Sequence, residues 1–170
     1  ALVRMLRKTP LRARQVAPAP EAVLLGQDGR MRPMDAQKAV VEKGDMLCFY
    51  TGFGDVLLDM QGKPDKHRLE NSCAALDGRD AKLLRWIDEC GVSALIADNY
   101  AVEGLPAKDG DPDGHAALPL HEHCLFKLGI PLGEIWYLSE LAAYLKQHKR
   151  SRFLLTAPPL RLTGAVGSPV

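Results

Sequence analysis

Between Asp80 and Cys90 the apolar residues Leu83, Leu84, Trp86 and Ile87 recur at helical spacing, and Gly91 stands where a left-handed stop is needed. The pattern predicts a helix over 80–90 with those side chains facing a core. Val92 to Ala97 then gives an almost unbroken apolar run, the mark of a buried strand. Gly44-Asp45 followed by Met46-Leu47-Cys48-Phe49-Tyr50-Thr51-Gly52 predicts another, buried on both faces. A helix joined through one glycine to such a strand is α/β grammar rather than that of an all-β sandwich. From Pro119 a helix can start with proline in its first turn and run to Gly129, since Pro131 forbids its continuation. Leu132 to Trp136 predicts a strand, Ser139 is placed to cap a helix from Glu140 to about Gln147, and Phe153 to Ala157 predicts a further strand. No internal repeat interrupts this order.

The polar stretches divide the chain. Ala17-Pro18-Ala19-Pro20 reads as an extended linker, because each proline pushes its predecessor out of the helical region. Residues 1–20 therefore form an arm and linker, and residues 21–170 one compact domain, as suits a chain of 170 residues. The segment 106–119 is a loop rich in Asp, Gly and Pro. The arm carries Arg4, Arg7, Lys8, Arg12 and Arg14 without an acid, which leaves 17 of the 22 basic residues against all 21 acidic ones. Such an arm suits nucleic acid, an anionic surface or a transit peptide, but its ordinary reading is a solvated tail. The body is acidic and lacks a basic stripe interleaved with aromatics, so nucleic acid is not an expected partner. A first residue Ala1 in place of Met fits a processed or truncated product.

Composition narrows the class. With 46% hydrophobic and 25% charged residues the chain is neither disordered, collagen-like nor coiled-coil. No run approaches the roughly 18 apolar residues of a membrane helix, so no membrane partner is expected. Cys48, Cys73, Cys90 and Cys124 lie far apart with no CxxC pair, which fits reduced thiols in a cytoplasm rather than a zinc ribbon or a disulfide framework.

The densest group of metal-capable side chains is His115, His121, His123 and Cys124, with Glu134 downstream. On a helix His121 and His123 point about 200° apart, so they do not share a metal there. A histidine at a helix start and a glutamate beyond the Gly129 to Pro131 reversal can converge, because the chain folds back between them. Spacing alone leaves a satisfied core or surface histidine open beside the ligand reading.

Leu120-His121, then Leu128-Gly129-Ile130-Pro131-Leu132-Gly133-Glu134-Ile135-Trp136, Leu138 and Leu141-Ala142 resemble the signature of the cyclase family of metal-dependent hydrolases, which includes kynurenine formamidase and isatin hydrolase. Lys43-Gly44-Asp45 with Thr51-Gly52, Ala75-Leu76-Asp77 with Leu84 to Ile87, and Ala97 to Glu103 add to the resemblance. So do Phe153 to Pro159, Gly164 and Gly167-Ser168-Pro169, and it covers residues 35–170.

The resemblance implies a swivelling β/β/α fold, a mixed sheet curled into a barrel-like core with flanking helices. It implies zinc or manganese as cofactor, often as a pair, with His121 and Glu134 matching the two later metal ligands. His67, His115, His123 and His148 match none. The implied activity is hydrolysis of an amide or formamide bond by a metal-activated water, on N-formylkynurenine or a cyclic aryl amide, as in cytoplasmic tryptophan catabolism. A small-molecule amide is then the partner, Tyr100 and Trp136 are candidates for an aryl pocket, and a homo-oligomer is expected. The family's upstream HxGTHxD-like motif, which gives two histidines and a bridging aspartate, is absent: the first histidine is His67. The chain thus reads as the C-terminal portion of a family member, inactive alone and with no catalytic residue assigned. The competing expectation is a degenerate or split member that serves binding or oligomerisation without catalysis.

Overall fold

The computed structural model describes residues 23–25 as backbone and residues 39–104, 116–165 and 167–169 in full. In chain order the elements are β1 (Val23–Leu25), β2 (Met46–Phe49), α1 (Phe53–Asp59), α2 (Lys66–Glu70), β3 (Ala74–Leu76), α3 (Ala81–Cys90) and β4 (Ala94–Ala97). There follow α4 (Pro119–His121), which runs into a π-helix over Glu122–Leu128, then β5 (Leu132–Gly133) and α5 (Ser139–Gln147). The basic arm lies outside the described residues, as do the linker and most of the 106–119 loop.

Three strands build the main sheet in the order β2-β4-β5, all parallel, with Met46 opposite Ala94 and Leu95 opposite Leu132. Parallel pairing follows from the helices lying between the paired strands, since such strands need a crossover rather than a hairpin. β1 and β3 form a second parallel pair. Among the described residues the two sheets stay open, and every strand pair is parallel. The mixed, barrel-like closure implied by the resemblance is not formed by these strands.

Side-chain alternation sorts the core into two layers. Leu47 and Phe49 of β2 and Leu95 and Ala97 of β4 meet Leu83 and Ile87 of α3 and Leu120 and Cys124 of the 119–128 helix. Cys48, Tyr50, Ala94 and Ile96 point the other way, onto Leu138 and Ala142 at α5. Helices therefore cover both faces of the sheet, which is why β4 is buried throughout. A third cluster of Phe53, Val56, Met60 and Cys73 seats α1.

α3 forms as its pattern predicts. The Asp80 side chain accepts from the Lys82 and Leu83 amides, and Gly91 ends the helix at φ 60°. Leu83 and Ile87 are fully buried, whereas Leu84 and Trp86 flank the contact stripe and are only partly buried.

Four expectations need correction. The strand from Leu132 stops at Gly133, where a side chain would collide with Ile96 and Trp136 at 3.0 Å, and Ile135 at φ 57° then turns the chain. Ser139 is the first residue of α5 and not its cap; the N-cap is Leu138, fixed by its burial in the core. Phe153 to Ala157 keeps a strand-like alternation, with Phe153 and Leu155 against the core, but forms no ladder. The Pro119 helix relaxes from Glu122 to Leu128 into π geometry, which inserts a residue into the turn and ends at Gly129, φ 66°. Helices α1 and α2 are not anticipated by the pattern at all.

Candidate functional site

The site is built where β3 and β4 end. Val102 to Gly104 lies alongside the end of β3: the Leu76 amide donates to Val102 O at 3.0 Å and the Gly104 amide to Leu76 O at 2.9 Å. Asn99, just beyond β4, clamps this segment. Its Oδ1 accepts from the Val102 amide at 2.8 Å, and its Nδ2 donates to Ala74 O at 3.1 Å. Val102 is held at φ 57°, a conformation that β-branched residues rarely adopt.

This clamp delivers Glu103, which is 2% exposed. Its Oε2 accepts from the Leu120 amide at 3.0 Å, and its Oε1 from the His121 amide at 2.9 Å. The same Oε1 stands 2.7 Å from His121 Nδ1. Gly78 lies so close beneath that an added Cβ would be 2.0 Å from Oε2.

Glu134 arrives from the opposite side. The Leu95 amide bonds Pro131 O, the Ile135 amide donates to Asn99 O at 2.9 Å and the Trp136 amide to Ala97 O at 3.2 Å, so both ends of its short strand are registered on β4. Its Oε1 comes to 3.0 Å from His121 Nε2. That oxygen is nevertheless buried and makes no hydrogen bond among the described residues. The structure thus brings His121 and Glu134 together as their spacing predicts.

A cavity of about 910 Å³ adjoins Glu134, lined among others by Ile96, Leu132, Trp136, Tyr137 and Pro159. Trp136 is thereby a cavity residue, while Tyr100 packs its ring on Phe53 at 5.9 Å. The other histidines are engaged elsewhere or lie apart. His123 Nε2 meets Asp88 Oδ1 of α3 at 2.8 Å, His148 Nδ1 meets Tyr144 O at 2.8 Å, and His67 sits on α2. His115 lies outside the described residues.

Burial, reinforced by the charge of Glu103, pushes the Cys124 thiol up to about 12, so it stays protonated and is a poor ligand. Asp98 at the end of β4 accepts from the Thr51 amide, the Thr51 hydroxyl and the Gly52 amide at 2.7–2.8 Å; its burial still raises its pKa against those bonds. Among the described residues no group of three or more His, Cys, Asp or Glu is placed to hold a metal.

No protein-family model matches the chain, and no curated protein matches it. Solved structures do. A novel cyclase superposes with a TM-score of 0.76 at 29% identity, over 95% of this chain and 50% of its own. The fold is that of the cyclase family. A potential metal-dependent hydrolase with cyclase activity matches at TM-score 0.55 and isatin hydrolase A from Ralstonia solanacearum at 0.57, each at 15% identity, which speaks for the cyclase fold alone. They are covered over 60% and 59% of their length, so this chain spans half to three-fifths of the cyclase-fold structures it matches.

The residue that sequence reasoning missed is Glu103. It closes the run Ala97 to Glu103 that contributes to the family resemblance, and a second acid five residues after Asp98, beyond a buried strand and an Asn-containing turn, was the available signal.

Proposed function

We propose that this chain is the part of a cyclase-family metal-dependent hydrolase that contributes two ligands, His121 and Glu134, to a divalent-metal site. The observation carrying this reading is the buried Glu134 Oε1, without a hydrogen bond among the described residues and 3.0 Å from His121 Nε2. Two ligands of one zinc, each about 2.0–2.2 Å from the ion at a tetrahedral angle, stand roughly 3.3–3.6 Å apart, so the pair comes within a few tenths of an ångström of one edge of a metal's shell. A catalytic zinc takes about three protein ligands, and the remainder must come from polypeptide beyond the described residues.

Zinc or manganese bound there supplies a Lewis-acidic centre and an activated water for attack on an amide or formamide carbonyl. The chain's own part is to aim the two ligands and to offer the adjoining cavity, whose Trp136, Ile96 and Leu132 suit the aryl group of a substrate such as N-formylkynurenine or a cyclic aryl amide. Among the described residues no helix is long and apolar enough to cross a membrane. A cytoplasmic homo-oligomer with the sheet closed into a barrel by further strands completes the proposal.

The absence of a third ligand among the described residues favours a second reading, a split or degenerate member that binds without catalysis. Calorimetric titration with zinc and manganese, alongside an N-formylkynurenine assay and a His121→Ala control, separates the two. We expect weak binding, abolished by the control, and no turnover from the 170-residue chain. Adding an HxGTHxD-bearing segment should restore tight binding and turnover. Failure of that addition to restore either supports the second reading, and metal binding unaffected by His121→Ala overturns the first.

A further inference from the structure

We infer that Glu103 is the positioning residue for His121: it keeps a proton on Nδ1 and so leaves Nε2 as the ring nitrogen turned toward Glu134. The inference rests on the reading of His121 as a ligand but is argued from the chain's own bonds. Two backbone amides, those of Leu120 and His121, already donate to the Glu103 carboxylate, so the group at 2.7 Å on Oε1 meets an acceptor. The proton in that contact comes from the ring. Nε2 then faces Oε1 of Glu134, a second acceptor, with no hydrogen bond between them.

The same carboxylate also starts the helix that carries the ring. Leu118, the N-cap of α4, makes no side-chain capping bond, and Glu103 satisfies the first free amides in its place. Backbone position, ring tilt and ring tautomer of His121 are thus fixed by one buried group. The two carboxylates are themselves held by unusual backbone: Val102 precedes Glu103 and Ile135 follows Glu134, each at φ 57°. β-branched residues persist in that region only where surrounding bonds over-determine it, and here Asn99 bonds both segments. A carboxylate behind a ligating histidine selects the tautomer and raises the basicity of the ligating nitrogen.

The test is the ring ¹H–¹⁵N spectrum of the ¹⁵N-labelled 170-residue chain with and without zinc, the His121 signals being those lost in His121→Ala. The expected result is a proton on Nδ1 in both conditions, protected from solvent exchange, with zinc shifting Nε2 alone. In Glu103→Gln the protection disappears, and zinc binding followed by titration weakens about 10- to 100-fold. Gln retains one acceptor but cannot serve three donors. If Glu103→Gln does not fold, the unmodified chain's spectrum decides alone. A proton on Nε2, or zinc at Nδ1, overturns the inference. A protected Nδ1 proton with Nε2 unmoved by zinc upholds Glu103 as positioning residue and instead overturns the metal reading of His121.

Discussion

Replacing Gly78 with alanine tests the site through one atom. Gly78 is not among the glycines at positive φ, so alanine brings no backbone strain and the change isolates space. The new Cβ would lie 2.0 Å from Glu103 Oε2 and 3.0 Å from the Leu120 amide nitrogen. Ordinary contact begins near 3.4 Å, so the oxygen must retreat by about 1.4 Å, enough to stretch its 3.0 Å bond from Leu120 past any useful length. A free carboxylate would swing away cheaply, but this one is held by three donors and is almost wholly buried. Losing one or two charge-assisted hydrogen bonds of about 1.5–3 kcal/mol each gives an expected destabilisation of about 2–5 kcal/mol. Urea denaturation followed by Trp86 and Trp136 fluorescence measures it. The cause is isolated by a cycle with Glu103→Ala: in that background Gly78→Ala should cost only what its 3.0 Å approach to the Leu120 amide nitrogen costs, and the shortfall from additivity is the coupling. A loss below about 0.5 kcal/mol, or full additivity, would show that Glu103 is not pinned as described.

Three further outcomes are expected. Leu83→Ala should cost about 2–5 kcal/mol because the side chain is fully buried, whereas partly buried Leu84→Ala should cost visibly less in the same denaturation series; equal losses would mean that α3 is turned about its axis. Arg79 has buried Nε and Nη1 without hydrogen-bond partners among the described residues, so Arg79→Met should be neutral or raise the melting temperature, and a drop of several degrees would reveal a partner beyond them. Burial lifts the Cys48, Cys73 and Cys124 thiols to about 12, 11 and 12, which keeps them protonated below those values. At pH 8 iodoacetamide should therefore leave them unmodified in the native chain while labelling them after unfolding, and fast native labelling read by mass spectrometry would contradict their placement.

The sequence pattern carried the elements whose signal is local. Asp80, Leu83, Ile87 and Gly91 announce α3 because cap, stripe and stop all lie within twelve residues. The runs at 46–49 and 94–97 announce β2 and β4 because strands buried on both faces have little choice but to be apolar. Phe153 to Ala157 misled, since alternation records which side faces a core and says nothing about whether a neighbouring strand is there to pair with. Likewise Ser139 has the right chemistry for a cap, but the burial of Leu138 decided where α5 begins. At the site, the meeting of His121 and Glu134 was legible from a reversal of known length between them. The role of Glu103 was not, because its contacts depend on the lateral pairing of β3 with residues 102–104, and no spacing within the chain encodes that.

The parallel pairing has a consequence for the time the chain takes to fold. Met46 finds Ala94 and Leu95 finds Leu132, partners 48 and 37 positions apart, with no hairpin between strands of the main sheet to nucleate it. Loop closure must be completed before these contacts return any free energy, which places such a topology among slow folders, in the millisecond to second range or beyond. The site inherits that delay. Glu103 is registered on β3 and Glu134 on β4, so their meeting around His121 waits for both crossovers to close. During that interval the edges of β2 and β5 are open to pairing with other chains, so refolding yield should depend on protein concentration more steeply than the finished domain's stability suggests.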